Sequence, residues 1–213
     1  MNWHPNIANE PVQKKVKTKS FAISQGGVNY TVQPLYEYDL TGMVVSFNHH
    51  NGNNSLHKRW NDHLNVADVC VVWQDNAKIV DLNAFKFWNG EFTCNYRTKD
   101  LIAYQAFHKN QLSNNHLLAD SDDIRDEIKR IKIGDQIRFK GWLSEYGQGN
   151  GPRRGTSTVR TDTGDGACET IYVKDFRIID SMSTIWRTTL TISLILVIIT
   201  GLFWTVQVAR GKF

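Results

Sequence analysis

The hydrophobic pattern of the chain changes sharply towards its end. The stretch "TTLTISLILVIITGLFWTVQVA" spans 188–209 and contains no formal charge. As an α-helix it would extend about 33 Å, enough to cross the hydrocarbon core of a bilayer. Trp186 and Trp204 lie near its ends and Arg187 and Arg210 flank it, as interfacial residues do. The pattern predicts a single transmembrane helix at 188–209.

Upstream of this run, apolar residues alternate with polar ones or form short continuous runs. The stretch "VNYTVQPLYEYDLTGMVVSF" predicts two strands around Pro34 and Gly42, and "ADVCVVW" predicts a buried strand. The dipeptide Asn89-Gly90 inside "AFKFWNGEFTCNYR" predicts a hairpin. These segments indicate a mainly β domain.

One upstream segment has helical spacing. In "SDDIRDEIKRI", Ile124, Ile128 and Ile131 recur on one side of a helix, and acidic residues precede basic ones. The strand "GDQIRFKGWL", a glycine-rich excursion and the strand "IYVKDFRII" follow. This order resembles the latter part of an OB-fold barrel, with Gly141 permitting strand curvature. The predicted class is mainly β (α+β), a small OB-like barrel with one or two short helices.

The predicted organisation has four parts. They are a flexible basic arm at 1–27, a β-rich domain at 28–180, the transmembrane helix at 188–209 and a short tail at 210–213. The arm holds four of the chain's lysines within the stretch "QKKVKTKS". It is interpreted as a solvated tail, with attraction to anionic lipid headgroups as the alternative.

Charge and cysteine content bear on the cellular compartment. The net charge is +4 and there are three cysteines, Cys70, Cys94 and Cys168. Three scattered cysteines are too few for a disulfide framework, and their odd number fits a reducing compartment. One bridge with a leftover thiol stays open as an alternative.

The position of the apolar run predicts a tail-anchored protein. No apolar segment typical of a signal peptide follows Met1. Translocation of the preceding domain without a signal is the harder route, so the domain is predicted on the cytoplasmic side of the membrane. The charges flanking the run barely favour either orientation, and a periplasmic domain stays open.

The stretch "RGTSTVRTDTGDGACE" at 154–169 is the main candidate binding site. Glycines allow backbone N–H groups to converge, and arginine and hydroxyl side chains supply donors for a phosphate or carboxylate. The predicted ligand-binding residues are Arg154, Ser157, Thr158, Arg160, Asp162, Gly164, Gly166 and His116. The alternative is an internal network in which Arg160 pairs with Asp162 or Glu169.

Two catalytic alternatives remain. Cys168 could act as a nucleophile with His116 as its base and Glu169 nearby, provided positive neighbours stabilise the thiolate. A metal site could use His49, His50, His57 and His63, although the sequence favours solvated loop histidines over a metal site. The sequence predicts no cofactor.

These observations favour a membrane-anchored, non-enzymatic binding or assembly module, such as an accessory subunit of a larger membrane complex. Its predicted partners are the bilayer, another membrane protein and a small anion. A membrane-tethered hydrolase using Cys168 or a histidine-bound metal is the alternative. Nucleic acid is not favoured, because the domain without its arm is not strongly basic.

Four stretches carry a family resemblance: "LNVADVCVVW", "LSNNHLLA", "IGDQIRFKGWL" and "RGTSTVRTDTGDGACETIYV". With them the chain resembles a group of bacterial single-span membrane proteins over about Val28 to Phe176. The resemblance implies a bacterial cytoplasmic membrane location and carries no catalytic assignment. The chain departs from the pattern at Gln74, where a glycine is expected, and near Ala119, where a proline is expected.

Overall fold

The computed structural model divides the chain into two compact units, Asn2–Ser181 and a smaller unit that includes Met182–Phe213. The structure describes residues 3–50, 55–90, 92–149, 151–164, 167–182 and 185–211.

The larger unit is mainly β. Its described strands are β1 (Val12–Lys15), β2 (Phe21–Gln25), β3 (Val28–His49), β4 (Asn65–Val72), β5 (Phe85–Asn89), β6 (Cys94–Thr98), β7 (Leu112–Leu118), β8 (Asp135–Gln148), β9 (Arg153–Arg154) and β10 (Cys168–Ser181). Its described α-helices are short: α1 (Ser55–Arg59), α2 (Gln74–Lys78), α3 (Leu101–Ala106) and α4 (Asp122–Lys129). The predicted mainly β class is confirmed.

Five strands form a partial ring within one mixed sheet. The order is β3-β4-β7-β10-β8, and β8 also pairs with β3. All of these pairs are antiparallel except β7 with β10, which run parallel. The parallel pair requires a crossover between them, and α4 and β8 lie in that connection.

The ring encloses the main apolar core. Tyr38, Leu40, Phe139 and Ile171 are among its buried members, and α4 adds Ile128. Ile131 is also buried and Ile124 packs against the same cluster, so the predicted apolar stripe is confirmed. The stripe fixes α4 on the sheet because its apolar side chains leave water there.

Two features of the ring depend on particular backbone positions. A Cβ on Gly141 would lie 2.0 Å from the carbonyl oxygen of Tyr172, so only glycine allows β8 and β10 to approach this closely. The two predicted strands around Pro34 and Gly42 are one continuous strand, β3. Its register with β8 shifts between Pro34 and Tyr36, where proline supplies no N–H to the ladder.

The N-terminal segment differs from the predicted irregular arm. β1 pairs with β3 from Val12 to Lys15, and β2 pairs with β3 from Phe21 to Gln25. The sequence did not predict these strands, because this segment has few apolar residues and several lysines. Lysine is a common means of protecting an exposed sheet edge, so its abundance here is compatible with pairing.

The predicted hairpin is confirmed as a separate two-stranded sheet, β5–β6, in which Asn89 pairs with Cys94. A disulfide joins Cys94 to Cys70 on β4 and so connects the hairpin to the main sheet. The bond takes up two of the three cysteines and leaves Cys168 free. The bridge with a leftover thiol, which the sequence left open, is therefore the observed arrangement.

The smaller unit contains one long helix, α5 (Ile185–Ala209). Within it, Thr188–Ala209 has a mean hydropathy of 2.2 and is exposed. By length and composition this helix can cross a membrane, as the sequence predicted.

Candidate functional site

Two rows of polar side chains lie on one face of three neighbouring strands. In the first row, Asp68 on β4 pairs with His116 on β7, which pairs with Thr170 on β10. The second row, two residues away on each strand, consists of Cys70, Asn114 and Cys168. Since residues two apart on a strand share a face, both rows point the same way. The sheet thereby gathers a carboxylate, an imidazole, an amide and a thiol.

Asp68, His116 and Cys168 lie in a line in which a hydrogen bond joins the first two. His116 Nδ1 lies 2.5 Å from Asp68 Oδ1, and Asp68 is almost completely buried. The interaction with nearby Cys168 is among the causes that raise the pKa of His116. The side-chain amide of Asn114 donates to Cys168 Sγ at 3.6 Å, and the thiol donates to the carbonyl oxygen of Phe92 at 2.9 Å.

The charges in this line stabilise each other. Burial opposes ionisation of Asp68, but the hydrogen bond from His116 and the nearby His50 ring outweigh it, so the pKa of Asp68 lies well below its ordinary range. Burial likewise opposes protonation of His116. Its contacts with Asp68 and Cys168 prevail and raise its pKa to about 9. At neutral pH the pair is therefore a carboxylate and an imidazolium.

Asp62 and Arg154 form a second set of charged side chains near the Asp68–His116 pair. Asp62 accepts hydrogen bonds from Tyr146 at 2.7 Å and Arg154 at 3.3 Å, and lies 3.2 Å from His57 Nδ1. The Arg154 guanidinium lies against both Trp60 and Phe92, at 4.4 Å and 4.3 Å from the ring centroids, and the two rings stack on each other. Arg154 is thus held in place by Asp62, a tyrosine hydroxyl and two aromatic faces.

An open cleft gives access to the thiol. Its volume is about 660 Å³, and its lining includes Trp60, Phe92, His116, Arg154 and Cys168. A second cleft of about 300 Å³ also reaches Cys168 and is lined by Cys94, Asn114 and Gly164, among others. Cys168 is half-buried, so it is reachable from both.

Glu169 follows Cys168 and therefore faces the opposite side of the sheet, in the interior. Burial raises its pKa to about 8, against the opposing effect of Arg160. The two side chains are 4.0 Å apart, which meets the distance of an ion pair. Burial decides the charge here, and Glu169 is mostly protonated at neutral pH. The Arg160 guanidinium stacks over Trp73 at 4.4 Å.

The glycine-rich stretch does not bring its two arginines to one ligand. Arg154 pairs with Asp62, whereas Arg160 lies beside Glu169, which is the internal pairing left open by the sequence. Ser157 donates to Asp162 at 2.5 Å. Two other predicted ligand-binding residues have separate surroundings. The carbonyl oxygen of Thr158 accepts a hydrogen bond from the Gln13 side chain, and Gly164 lines the smaller cleft. Gly166 lies outside the described residues.

Of the four histidines proposed as a metal site, two form a pair and the other two lie at separate places. His50 and His57 stack with ring centroids 3.7 Å apart, close to Asp68. His49 instead contacts the carbonyl oxygen of Ile128, and His63 contacts Asn61. Only two of the four are therefore brought together.

Sequence reasoning did not select Asp68, Asp62 or Asn114. Asp68 interrupts an otherwise apolar stretch, "VADVCVVW", and this was the available signal. A carboxylate in a buried strand costs free energy unless it is paired, so such an interruption indicates a partner. Asp62 and Asn114 are ordinary residues of polar segments and carry no comparable signal.

Comparison with family models, with curated proteins and with solved structures finds no match to this chain. The resemblance to bacterial single-span membrane proteins stays a prediction.

Proposed function

We propose that this chain is a membrane-anchored thiol hydrolase, with Cys168 as nucleophile, His116 as acid and base, and Asp68 as the carboxylate that orients His116. The observation that carries the proposal is the Asp68–His116 hydrogen bond together with the position of His116 and Cys168 in the lining of one open cleft. A carboxylate, an imidazole and a nucleophile in this order are the parts of a catalytic triad, which is recognised by geometry rather than by sequence position.

The fold favours a ligand site at this position. The strand order β3-β4-β7-β10-β8, with α4 between β7 and β8, supports a five-stranded OB-type barrel. In such barrels ligands bind the face of the second and third strands and the loops beside it. Here those strands would be β4 and β7, and one of those loops supplies Arg154.

The proposed reaction is acyl transfer to the thiol followed by hydrolysis. Cys168 releases the thiol proton to solvent and attacks a carbonyl carbon as a thiolate, beside the His116 imidazolium. The bond to the leaving group breaks as His116 gives its own proton to the leaving atom. Water then attacks the thioester, His116 accepts a proton from it, and the carboxylic acid and free Cys168 are released. The Asn114 amide, which donates to Cys168 Sγ, would serve as a donor to the developing oxyanion.

A non-enzymatic binding module is the second candidate, favoured by one specific contact. The Cys168 thiol donates to the carbonyl oxygen of Phe92 at 2.9 Å, an arrangement suited to a structural thiol. In that case the cleft binds a ligand or a partner protein without chemistry at sulfur.

Alkylation and acylation of the full-length protein in mild detergent separate the two candidates. The first measurement is the rate of reaction with iodoacetamide, and the second is a mass shift on Cys168 after 4-nitrophenyl acetate. A hydrolase predicts fast alkylation, an acyl adduct on Cys168 and at least tenfold slower alkylation in His116→Gln. His63→Gln is the matched control, because His63 lies outside the line. Alkylation at the rate of a simple free thiol, unchanged by His116→Gln, would favour the binding module.

We infer that the soluble domain faces an oxidising compartment. The support is the Cys70–Cys94 disulfide, because such bonds persist outside the cytoplasm and are rare within it. This reverses the orientation that the sequence favoured. In Cys168→Ser cells quenched with acid, the two remaining cysteines should resist a maleimide polymer until a reductant is added. Full modification without a reductant would place the domain in the cytoplasm.

A further inference from the structure

A group of metal-ligating side chains lies next to the thiol line. His50, His57 and Asp68 each offer one ligand atom, and these atoms all lie within 4.8 Å of one another. His57 and Asp68 are buried, and the His50 side chain is 8% exposed. Three such ligands at this separation can converge on one ion.

His50 has the geometry of a ligand rather than of a hydrogen-bond donor. Its Nε2 atom is 3.1 Å from Asp68 Oδ2, within ion-pair distance, but neither this contact nor any other with a described residue has the geometry of a hydrogen bond. A buried ring nitrogen without a hydrogen bond is costly. Two ligand atoms bound to one tetrahedral zinc ion lie roughly 3.3 Å apart, given metal–ligand bonds of about 2.0–2.1 Å. The separation of His50 Nε2 from Asp68 Oδ2 is close to that spacing.

The hydrogen bonds around the cluster leave one oxygen of Asp68 and one ring nitrogen of His57 available to bind an ion. Asp68 Oδ1 is already occupied by His116 and by the side-chain amide of Asn65, which leaves Oδ2 on the His50 side. Asp62 lies 3.2 Å from His57 Nδ1, so the other ring nitrogen is the available ligand. A carboxylate on the far nitrogen of a ligating histidine fixes its tautomer and orientation in known metal sites.

We propose that His50, His57 and Asp68 form a binding site for a transition-metal dication of the zinc class. Two imidazoles and one carboxylate suit Zn²⁺ or Co²⁺, whereas Mg²⁺ and Ca²⁺ prefer oxygen ligands. The stacked rings of His50 and His57 open slightly to admit the ion, and water completes its coordination. The site shares Asp68 with the proposed triad, but it uses Oδ2, whereas His116 contacts Oδ1.

Metal binding by the full-length protein in detergent tests this proposal. Isothermal titration with Zn²⁺ should give one site per chain, and Co²⁺ should produce the visible spectrum of a tetrahedral complex. His50→Gln and His57→Gln should each weaken Zn²⁺ binding at least tenfold, and Asp62→Asn by about tenfold through loss of orientation. Cys168→Ser and His63→Gln are controls that should bind as the wild type does.

Each outcome decides the proposal. Retained zinc affinity in both histidine variants would overturn it, as would the absence of a tetrahedral cobalt spectrum in the wild type. Loss of affinity in Cys168→Ser would also overturn it, because the thiol would then be a ligand. Circular dichroism of every variant separates unfolding from loss of the site. Failure of the thiol hydrolase proposal leaves this result unaffected, since no acyl chemistry is measured.

Discussion

Asp68 and Glu169 are buried carboxyl groups on opposite faces of the same sheet, and they carry different charges. Asp68 lies on the cleft face, where His116 and the His50 ring hold its pKa well below the ordinary range. Glu169 lies on the interior face, where burial raises its pKa to about 8. Each has a basic neighbour, His116 or Arg160, so proximity to a positive group alone does not decide ionisation.

The difference lies in the contact. His116 lies 2.5 Å from Asp68 within a hydrogen bond, whereas Arg160 reaches Glu169 only at 4.0 Å and stacks on Trp73. A hydrogen bond to the charged form offsets desolvation far better than a looser Coulombic contact. The cleft face therefore keeps a charged, reactive group, and the interior keeps a neutral one. This contrast makes Asp68 the functional candidate and Glu169 a structural one.

Removal of the charge at Asp68 is the strongest test of this contrast. Asp68→Asn leaves the His116 ring buried without its counter-ion, and loss of one partner from a buried pair costs about 3 kcal/mol of unfolding free energy. Chemical denaturation at neutral pH measures the change. Asp126→Asn, at an exposed position of α4, should leave stability nearly unchanged. If Asp68→Asn left the free energy of unfolding unchanged, Asp68 and His116 would not form the charged pair assigned to the cleft face.

Glu169 should make the free energy of unfolding fall as the pH rises. Its pKa rises on folding from 4.5 to about 8. The folded state then binds the proton more tightly, so its contribution is fully present below pH 4.5 and is lost as the pH rises through about 8. Glu169→Gln keeps a neutral side chain and should flatten this decline. Thermal melting from pH 5 to pH 9 measures it, and identical slopes in both proteins would show that Glu169 is ionised throughout.

Much of the fold was accessible from local sequence patterns. The isoleucine spacing placed α4, Asn89-Gly90 placed the hairpin, and the charge-free run placed α5. Each of these signals is contained within one element, so neighbouring residues are enough to read it. The strand β1 was not predicted because it lies at an edge of the sheet and has a mostly polar sequence.

The candidate site was less accessible because it depends on register. Alternation tells which residues share a face of one strand, but it does not tell which strand lies beside it. Asp68 and His116 are 48 residues apart in sequence and meet only because β4 pairs with β7. Cys168 and His116 were selected from the sequence because of their chemistry. Nothing in the sequence showed that Asp68 lies beside His116. The sequence-based prediction also joined Arg154 with Arg160, which the sheet keeps with different carboxyl groups.

The two arginines give the smallest and most closely matched comparison. Each stacks on a tryptophan beside a carboxyl group, but Arg154 hydrogen-bonds to an ionised Asp62, while Arg160 faces a mostly neutral Glu169. Lysine keeps the positive charge and loses the planar contact, so Arg154→Lys should cost about 1 kcal/mol of unfolding free energy.

Arg160→Lys should cost less than Arg154→Lys, since Arg160 loses no hydrogen bond to a charged carboxylate. The buried Nε of Arg160 makes no hydrogen bond with any residue that the structure describes, and lysine removes that unsatisfied group. Urea denaturation of both variants at neutral pH measures the difference. An equal or larger loss at Arg160 would mean that Glu169 is ionised and paired, and the two faces of the sheet would then hold their carboxyl groups in the same charge state.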